Sequence, residues 1–545
     1  MKLFPKSRIM VGKFWAMSIL ILNWLIIGGC GIQPRPYSEG QHLTLAMADQ
    51  RAMLEGVPGL SDGRLSLEEA ILRALVFNLD HRLALSENIV ADKERVLAAV
   101  SILPDLSANA NFYDRSNENA SSSLSYRTRN QSLEPSFSNK PGRQWGNLEF
   151  SWSILDCGLS YYHALQQADR VLITLERRRR TMNTIVKDVI STYYRALTAQ
   201  RYLGRVNGLL AEADRALTMS RNLEKEKAAP LAEVLDDQKQ LVTTIAQLKR
   251  IQSDLKQSQV QLAALCNLPL NQKFTLTSKQ MPLPAMKQPV DTMETLGLLR
   301  RPELREERYQ ERIDIAAVKQ EIIKMFPGIK ILASFNWDTN PYLVHQHWSE
   351  AGVQVSASLL KMAGTGPTGK KAAEARQQMS QMRRLALSMA TLVQINLSRH
   401  QYMVSLEEMK SFSSLKGIEN RLLEQIKTEA ENEAGGELNV IIQRTMTFAS
   451  ELAYDMSRVD AYTALGNLYF SMGVGMADLL PAEATIDKLG QAVHAGLDMM
   501  AKGELPPLPV REPVDDLVSP KVFNDNSNAA ERKAAIDRNI QQKTI

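Results

Sequence analysis

Two hydrophobic periods alternate along this chain of 545 residues. Leu106, Ala108, Ala110 and Phe112 alternate with Ser107, Asn109, Asn111 and Tyr113, and Leu148, Phe150, Trp152 and Ile154 alternate with Glu149, Ser151 and Ser153. The pattern returns at Ile329, Ile331, Ala333, Phe335 and Trp337, and again at Val353, Val355, Ala357 and Leu359. A period of two predicts strands with one greasy and one wet face. Strands of about ten residues with aromatics near their ends suit a membrane barrel, although soluble hairpins would share the pattern. Elsewhere the period is helical. No Pro occurs from Tyr161 to Lys227, where only Gly204 and Gly208 interrupt, or from Lys370 to Glu433, where only Gly417 does. Such a run, about 65 residues at 1.5 Å each, reaches roughly 100 Å. Each is predicted to turn, at Ala228-Ala229-Pro230 or Gly435-Gly436, and to return as a helix towards Asn267 or Asn467. Uncapped helices of this length predict coiled-coil packing.

The two halves share one plan. Asn78-Leu79-Asp80-His81-Arg82 matches Arg301-Pro302-Glu303-Leu304-Arg305, and Leu103-Pro104-Asp105-Leu106 matches Phe326-Pro327-Gly328-Ile329, both at an offset of 223. Leu148 to Leu155 matches Val353 to Leu360 (offset 205), Glu233-Val234-Leu235 matches Asn439-Val440-Ile441 (offset 206), and Ala264 to Leu268 matches Ala464 to Leu468 (offset 200). Five matches in one order identify a tandem duplication. Ser66 with Glu69 forms a capping box, and a helix of about two dozen residues is expected to end at Pro104, as another does at Pro327. The predicted boundaries are a first repeat over 65–268, a linker over 269–292, a second repeat over 293–473, a helical segment over 474–505 and a disordered tail over 506–545. Ser- and Asn-rich residues 116–140 suit an exposed external loop. Four strands cannot close a barrel, and open edges are not tolerated in lipid. If the strands cross a membrane, several chains must each contribute four, and the helices would then form a hollow cylinder.

The first residues alter the picture. Lys2, Lys6, Arg8 and Lys13 precede an apolar run from Phe14 to Ile27, a secretory signal over 1–29 that is too short and wrongly flanked for a comfortable span. These four cations account for all but +1 of the net charge of +5, so nucleic-acid binding gains no support. Ile27-Gly28-Gly29-Cys30 resembles a bacterial lipobox, with Ile where Leu is usual. The Cys30 thiol would then take a diacylglycerol, leaving 30–64 as a lipidated linker, and Gly31 would direct the protein to the outer membrane. Only Cys157 and Cys266 remain, too few for a disulfide framework and expected to be unpaired, buried and structural.

The chain resembles the TolC-like outer-membrane factors. The resemblance rests on Leu65-Ser66-Leu67-Glu68-Glu69-Ala70, on Asn78 to Arg82, on Leu103-Pro104-Asp105-Leu106, on Leu155-Asp156-Cys157-Gly158 and on Glu233-Val234-Leu235-Asp236-Asp237-Gln238, and covers roughly residues 60 to 475. It implies a mostly α fold with a β-barrel contribution, and a homotrimer sharing a twelve-stranded barrel and a twelve-helix periplasmic tunnel. It also implies docking to a periplasmic adaptor and an inner-membrane transporter. The function that follows is a passive exit duct in the outer membrane of a Gram-negative bacterium, serving efflux or type I secretion, with no cofactor. Departures from the family pattern are Cys157 where Gly is usual, Lys361 to Pro367 at the second turn, and an Asn439-Val440-Ile441-Ile442-Gln443 segment without the acidic pair. A lipid-anchored coiled-coil envelope spacer or adaptor without a pore is the alternative, against which the four strand segments speak.

No catalytic constellation appears, and a periplasmic enzyme is a distant third reading. The hairpin tips would form the periplasmic entrance and contact the adaptor. Glu233, Asp236 and Asp237 at one tip, with Glu437 and Asn439 at the other, would repeat as rings that attract cations; a solvated helix face is the plainer explanation. Arg178, Arg179, Arg383 and Arg384 could line the tunnel as a basic belt or simply solvate helices. His345 and His347 are expected in a polar loop between strands, and no metal site is expected there. The 23 Met residues are assigned to helix packing.

Overall fold

The computed structural model describes residues 34–60, 62–132, 134–227, 230–270, 272–277, 280–432, 437–475 and 486–510. The predicted signal, Cys30, the tail beyond 510 and the Ala228-Ala229 and Gly435-Gly436 turns lie outside the described residues. The described residues up to 56 form a unit of their own. It contains helix α1 (Glu39–Leu54), opened by a reciprocal capping box between Ser38 and Gln41 and burying none of its side chains. A helix therefore stands where the sequence was read as linker.

Residues 57–545 form the second unit. In it, β1 (Arg64–Leu65) is followed by α2 (Leu67–Phe77) and α3 (Leu79–Val100), then by β2 (Asp105–Tyr113) and β3 (Arg143–Ser153). Next come α4 (Ile154–Glu226), α5 (Leu231–Leu265) and β4 (Thr275–Leu276). The plan repeats in α6 (Val290–Arg300), α7 (Pro302–Ile323), β5 (Gly328–Asp338), β6 (His347–Ser356), a π-helical turn (Lys361–Thr365), α8 (Gly366–Asn432) and α9 (Glu437–Ser471), with α10 (Ile486–Lys502) last. Helix α4 has 73 residues and α8 has 67.

The helix of about two dozen residues expected ahead of Pro104 is α3, with 22 residues, and a shorter α2 precedes it across Asn78. Asn78 ends α2 and caps α3, its side chain accepting from the Asp80 and His81 amides at 2.9 and 3.4 Å. Arg301 likewise stands between α6 and α7, without a side-chain cap, and Pro302 opens the second helix; Pro at the first helical position loses no needed hydrogen bond.

The four long strands form one antiparallel sheet in the order β2-β3-β5-β6. Its register sorts residues by character. Leu106, Phe150 and Ala333 share a row, as do Ala108, Leu148 and Phe335. The rows between hold Ser107, Glu149, Ser334 and Glu350, then Asn109, Asn147 and Asn336. One face is thus mainly greasy and the other mainly wet, with Leu332, Trp145 and Trp348 on the wet face and Ser349 and His347 on the greasy one. Strands β2 and β6 each have one unpaired edge, and β6 is exposed throughout.

Beside the sheet, α3, α4, α7 and α8 pack in that order; further along, α5, α4, α9 and α8 do so. The largest core lies midway along α4. There Tyr193 donates to the carbonyls of Leu65 and Thr277 at 3.1 and 2.9 Å, fastening the parallel β1–β4 pair to the helix. Tyr402 and Tyr462 donate to Pro284 and Met281, and Tyr469 to Glu504, which fixes the linker and the C-terminal segment. Cys266 is buried in this core, which pushes its thiol up to about 12. Cys157 is half-buried, and both thiols are free.

Candidate pore elements and hairpin tips

The duplication is visible in geometry as well as in sequence. Helices α2 and α6 both have 11 residues, and α3 and α7 both have 22, at the offset of 223. Strand pairing of Asp105 with Ser151 and of Gly328 with Ser356 sets β3 and β6 apart by 205. In the helices the offset becomes 206. The buried Ile185, Val189, Ala196 and Ala199 of α4 correspond to Thr391, Ile395, Tyr402 and Ser405 of α8. Helices α5 and α9 both have 35 residues and end alike, the Leu268 amide donating to Ala263 and the Val474 amide to Tyr469. Asn267 and Gly473 hold the left-handed position at these ends, with φ of 49° and 65°. The match of Ala264–Leu268 to Ala464–Leu468 at offset 200 is therefore not the structural equivalence. The extra residue between sheet and helix falls in the π turn, which takes more residues per turn than an α-helix.

At the first tip, Lys227 closes α4 in the left-handed conformation and Pro230 opens α5. Glu233 and Asp236 are exposed and Asp237 is half-buried. Burial, with Glu233 and Asp236 close by, pushes the Asp237 carboxyl above the usual carboxylate range. Asp236 is 3.8 Å from Lys239 and accepts from Gln240 at 3.0 Å, while Gln238 reaches back to Glu224 at 2.8 Å. The structure thus brings the three acids of this tip together. At the second tip Glu437 opens α9, its side chain lying outside the described residues, and Asn439 is exposed.

The arginines sit in a lattice of carboxylates joining α4, α7 and α8. Arg179 donates to Glu176 at 3.0 Å, and Arg305 reaches the same carboxylate at 3.5 Å. Arg177 meets Glu306 at 2.5 Å, Arg384 donates to Glu311 at 3.0 Å, and Arg312 pairs with Asp169. Arg178 donates to the His81 ring at 3.2 Å, and burial together with this cation holds that imidazole below its ordinary value, as an acceptor. Arg383 is exposed, with the half-buried Glu307 within its field. Reasoning from the arginines alone missed these partners. The mixed run from Glu303 to Asp314, with acids and bases one turn apart, was the available signal. His345 lies in the β5–β6 loop, whereas His347 opens β6 and stacks on Phe335 with ring centroids 6.3 Å apart. Among the described residues no cluster of His, Cys, Asp or Glu is placed to hold a metal, and no helix is long and apolar enough to cross a membrane.

No family model matches the sequence, and no curated protein does. Solved structures match the fold. The Campylobacter jejuni CmeC outer-membrane channel shares 12% identity at a TM-score of 0.60, covering 80% of this chain and 89% of its own. The Neisseria gonorrhoeae MtrE outer-membrane channel shares 16% at 0.56, covering 75% and 89%. Vibrio cholerae VceC, an outer-membrane protein, shares 14% at 0.56, covering 75% and 96%. The chain has the TolC-like outer-membrane channel fold.

Proposed function

We propose that this protein is the exit duct of an export system: a passive, water-filled path across the outer membrane and periplasm. One observation carries the reading. A four-stranded sheet with a greasy face and two unpaired edges is continuous with helices of 73 and 67 residues. Unpaired strand edges cannot face lipid, so copies must complete one another. Three copies would give twelve strands, enough to close around a lumen, with the wet face of Glu149 and Glu350 inward.

In this reading α3 to α5 and α7 to α9 form the periplasmic tunnel and its tips the entrance. Glu233, Asp236, Asp237, Glu437 and Asn439 serve as gate and adaptor contacts. An inner-membrane transporter supplies the driving force through a periplasmic adaptor, in efflux or type I secretion. Cys30 is the lipid anchor. The likeness of the fold to CmeC, MtrE and VceC supports the reading. Fractionation and detergent-extracted mass test it: the expected result is an outer-membrane protein running as a heat-labile trimer. A monomer in the soluble periplasmic fraction would overturn it.

A further inference from the structure

Three apolar residues break the alternation on the wet face of the sheet, and they bracket its carboxylates. Glu149 and Glu350 share a row with Ser107 and Ser334. In the next row of that face, towards the loop that joins β5 to β6, Trp348 follows Asn109, Asn147 and Asn336, and one row further Trp145 lies between Asn111 and Asp338. On the other side of the carboxylates Leu332 lies between Ser151 and Gly352. Rows on one face are about 7 Å apart, so Trp348 and Leu332 stand one row to either side of Glu350. Gly352 leaves the surface beside Leu332 open, since a Cβ there would meet nothing within 4 Å. Trp348 is 37% exposed, and its indole N–H donates to Glu350 at 2.7 Å. Folding gains little from an indole left in water, and a break in an otherwise consistent pattern marks a place of use.

The same face shows what a ring beside a carboxylate holds. At its loop end the Arg143 guanidinium lies over the Tyr113 ring, 5.8 Å from the centroid, and meets the Asp338 carboxylate at 3.3 Å. The ring attracts the cation through its negative face, and the carboxylate balances the charge. Trp348 and Glu350 repeat the ring and the carboxylate in adjacent rows, but here the chain supplies no cation. Among the described residues no Lys or Arg lies over Trp145 or Trp348, and no Lys, Arg or His pairs with Glu149 or Glu350.

We infer that the patch of Trp348, Glu350 and Leu332, with Trp145 and Glu149 beside it, binds hydrophobic organic cations on their way through the duct. The inference rests on the reading of this sheet as a duct wall with its wet face inward, and it names a substrate class: an ammonium or phosphonium centre carrying aromatic or alkyl groups. The charge meets Glu350 and the face of the Trp348 ring, while the apolar body lies along Leu332. A small cation uses only the carboxylates and an aromatic anion only the apolar groups, so neither is held as well.

Single-channel recording of the full-length oligomer separates these cases. Tetraphenylphosphonium should interrupt the open-channel current at lower concentration than tetramethylammonium, and naphthalenesulfonate should leave it unchanged. Trp348→Ser should raise the blocking concentration about fivefold, and Trp348→Phe should restore most of the block. Glu350→Gln, which keeps the shape and still accepts from the indole, should raise it as well. The Phe rescue and the Gln variant distinguish a ring that binds the cation from one that only braces the sheet, and they carry the test if Trp348→Ser does not assemble. A conducting oligomer blocked equally by both cations, or blocked alike with and without Trp348→Phe and Glu350→Gln, would overturn the site and leave the duct standing. An assembled oligomer without conductance would overturn the duct and the site with it.

Discussion

Gly473 holds φ at 65° where α9 ends, and a Cβ there would come within 2.7 Å of the Arg300 and Arg301 backbone. Its counterpart Asn267 adopts the same conformation, which Asn tolerates better than most residues. Gly473→Ala should therefore cost more than about 1 kcal/mol, seen as a lower thermal midpoint, whereas Asn267→Gly should be close to neutral. Asp237 illustrates a different constraint. Its carboxyl sits above its ordinary value of 3.8 because burial and two acidic neighbours disfavour the charge. A raised folded-state pKa stabilises the tip at low pH, and this benefit is lost as pH rises through the raised value. Asp237→Asn should accordingly raise the thermal midpoint at neutral pH and flatten its dependence in the window just above 3.8. An unchanged pH profile would contradict the raised Asp237 carboxyl. These acids were legible in the sequence because they cluster within five positions. The meetings of Arg305 with Glu176 and of Arg384 with Glu311 were not, because they form only after the helices pack.

Regular elements were legible wherever the period was unbroken. Alternation predicted three of the long strands and the end of the fourth: β6 runs His347–Ser356, so Ala357 and Leu359 lie beyond it and its first half was read as loop. The long Pro-free runs predicted α4 and α8. The break at Asn78 was harder to see, since an Asn inside a helical pattern carries no compulsory stop and the capping geometry decides, whereas Pro302 marks the break at Arg301. The π turn was likewise hidden, appearing only as the change of offset from 205 in the strands to 206 in the helices. It makes a specific expectation. Deleting Gly364 should let Lys361–Thr365 continue as α-helix and leave α8 in place, with oligomer yield and helicity nearly unchanged. Deleting Ser388, within regular helix, would rotate the following residues by about 100° relative to their partners and abolish assembly. Equal tolerance of both deletions would contradict the assignment of the extra residue to the π turn.

For the assembled molecule, the decisive feature is a sheet that is incomplete alone. Its wet rows bring Glu149 and Glu350 to one level, so a closed barrel of three copies would carry six carboxylates around its lumen and favour cations. This level could not be read from one chain's sequence, because the row exists only once the strands are in register and the copies closed. Single-channel recording in planar bilayers tests it most directly. Discrete conductance is expected, with a cation preference that falls in Glu149→Gln/Glu350→Gln while the oligomer persists. A correctly assembled oligomer that leaves the bilayer silent, or conducts with a preference untouched by that pair, would contradict the reading of this sheet as the wall of a pore.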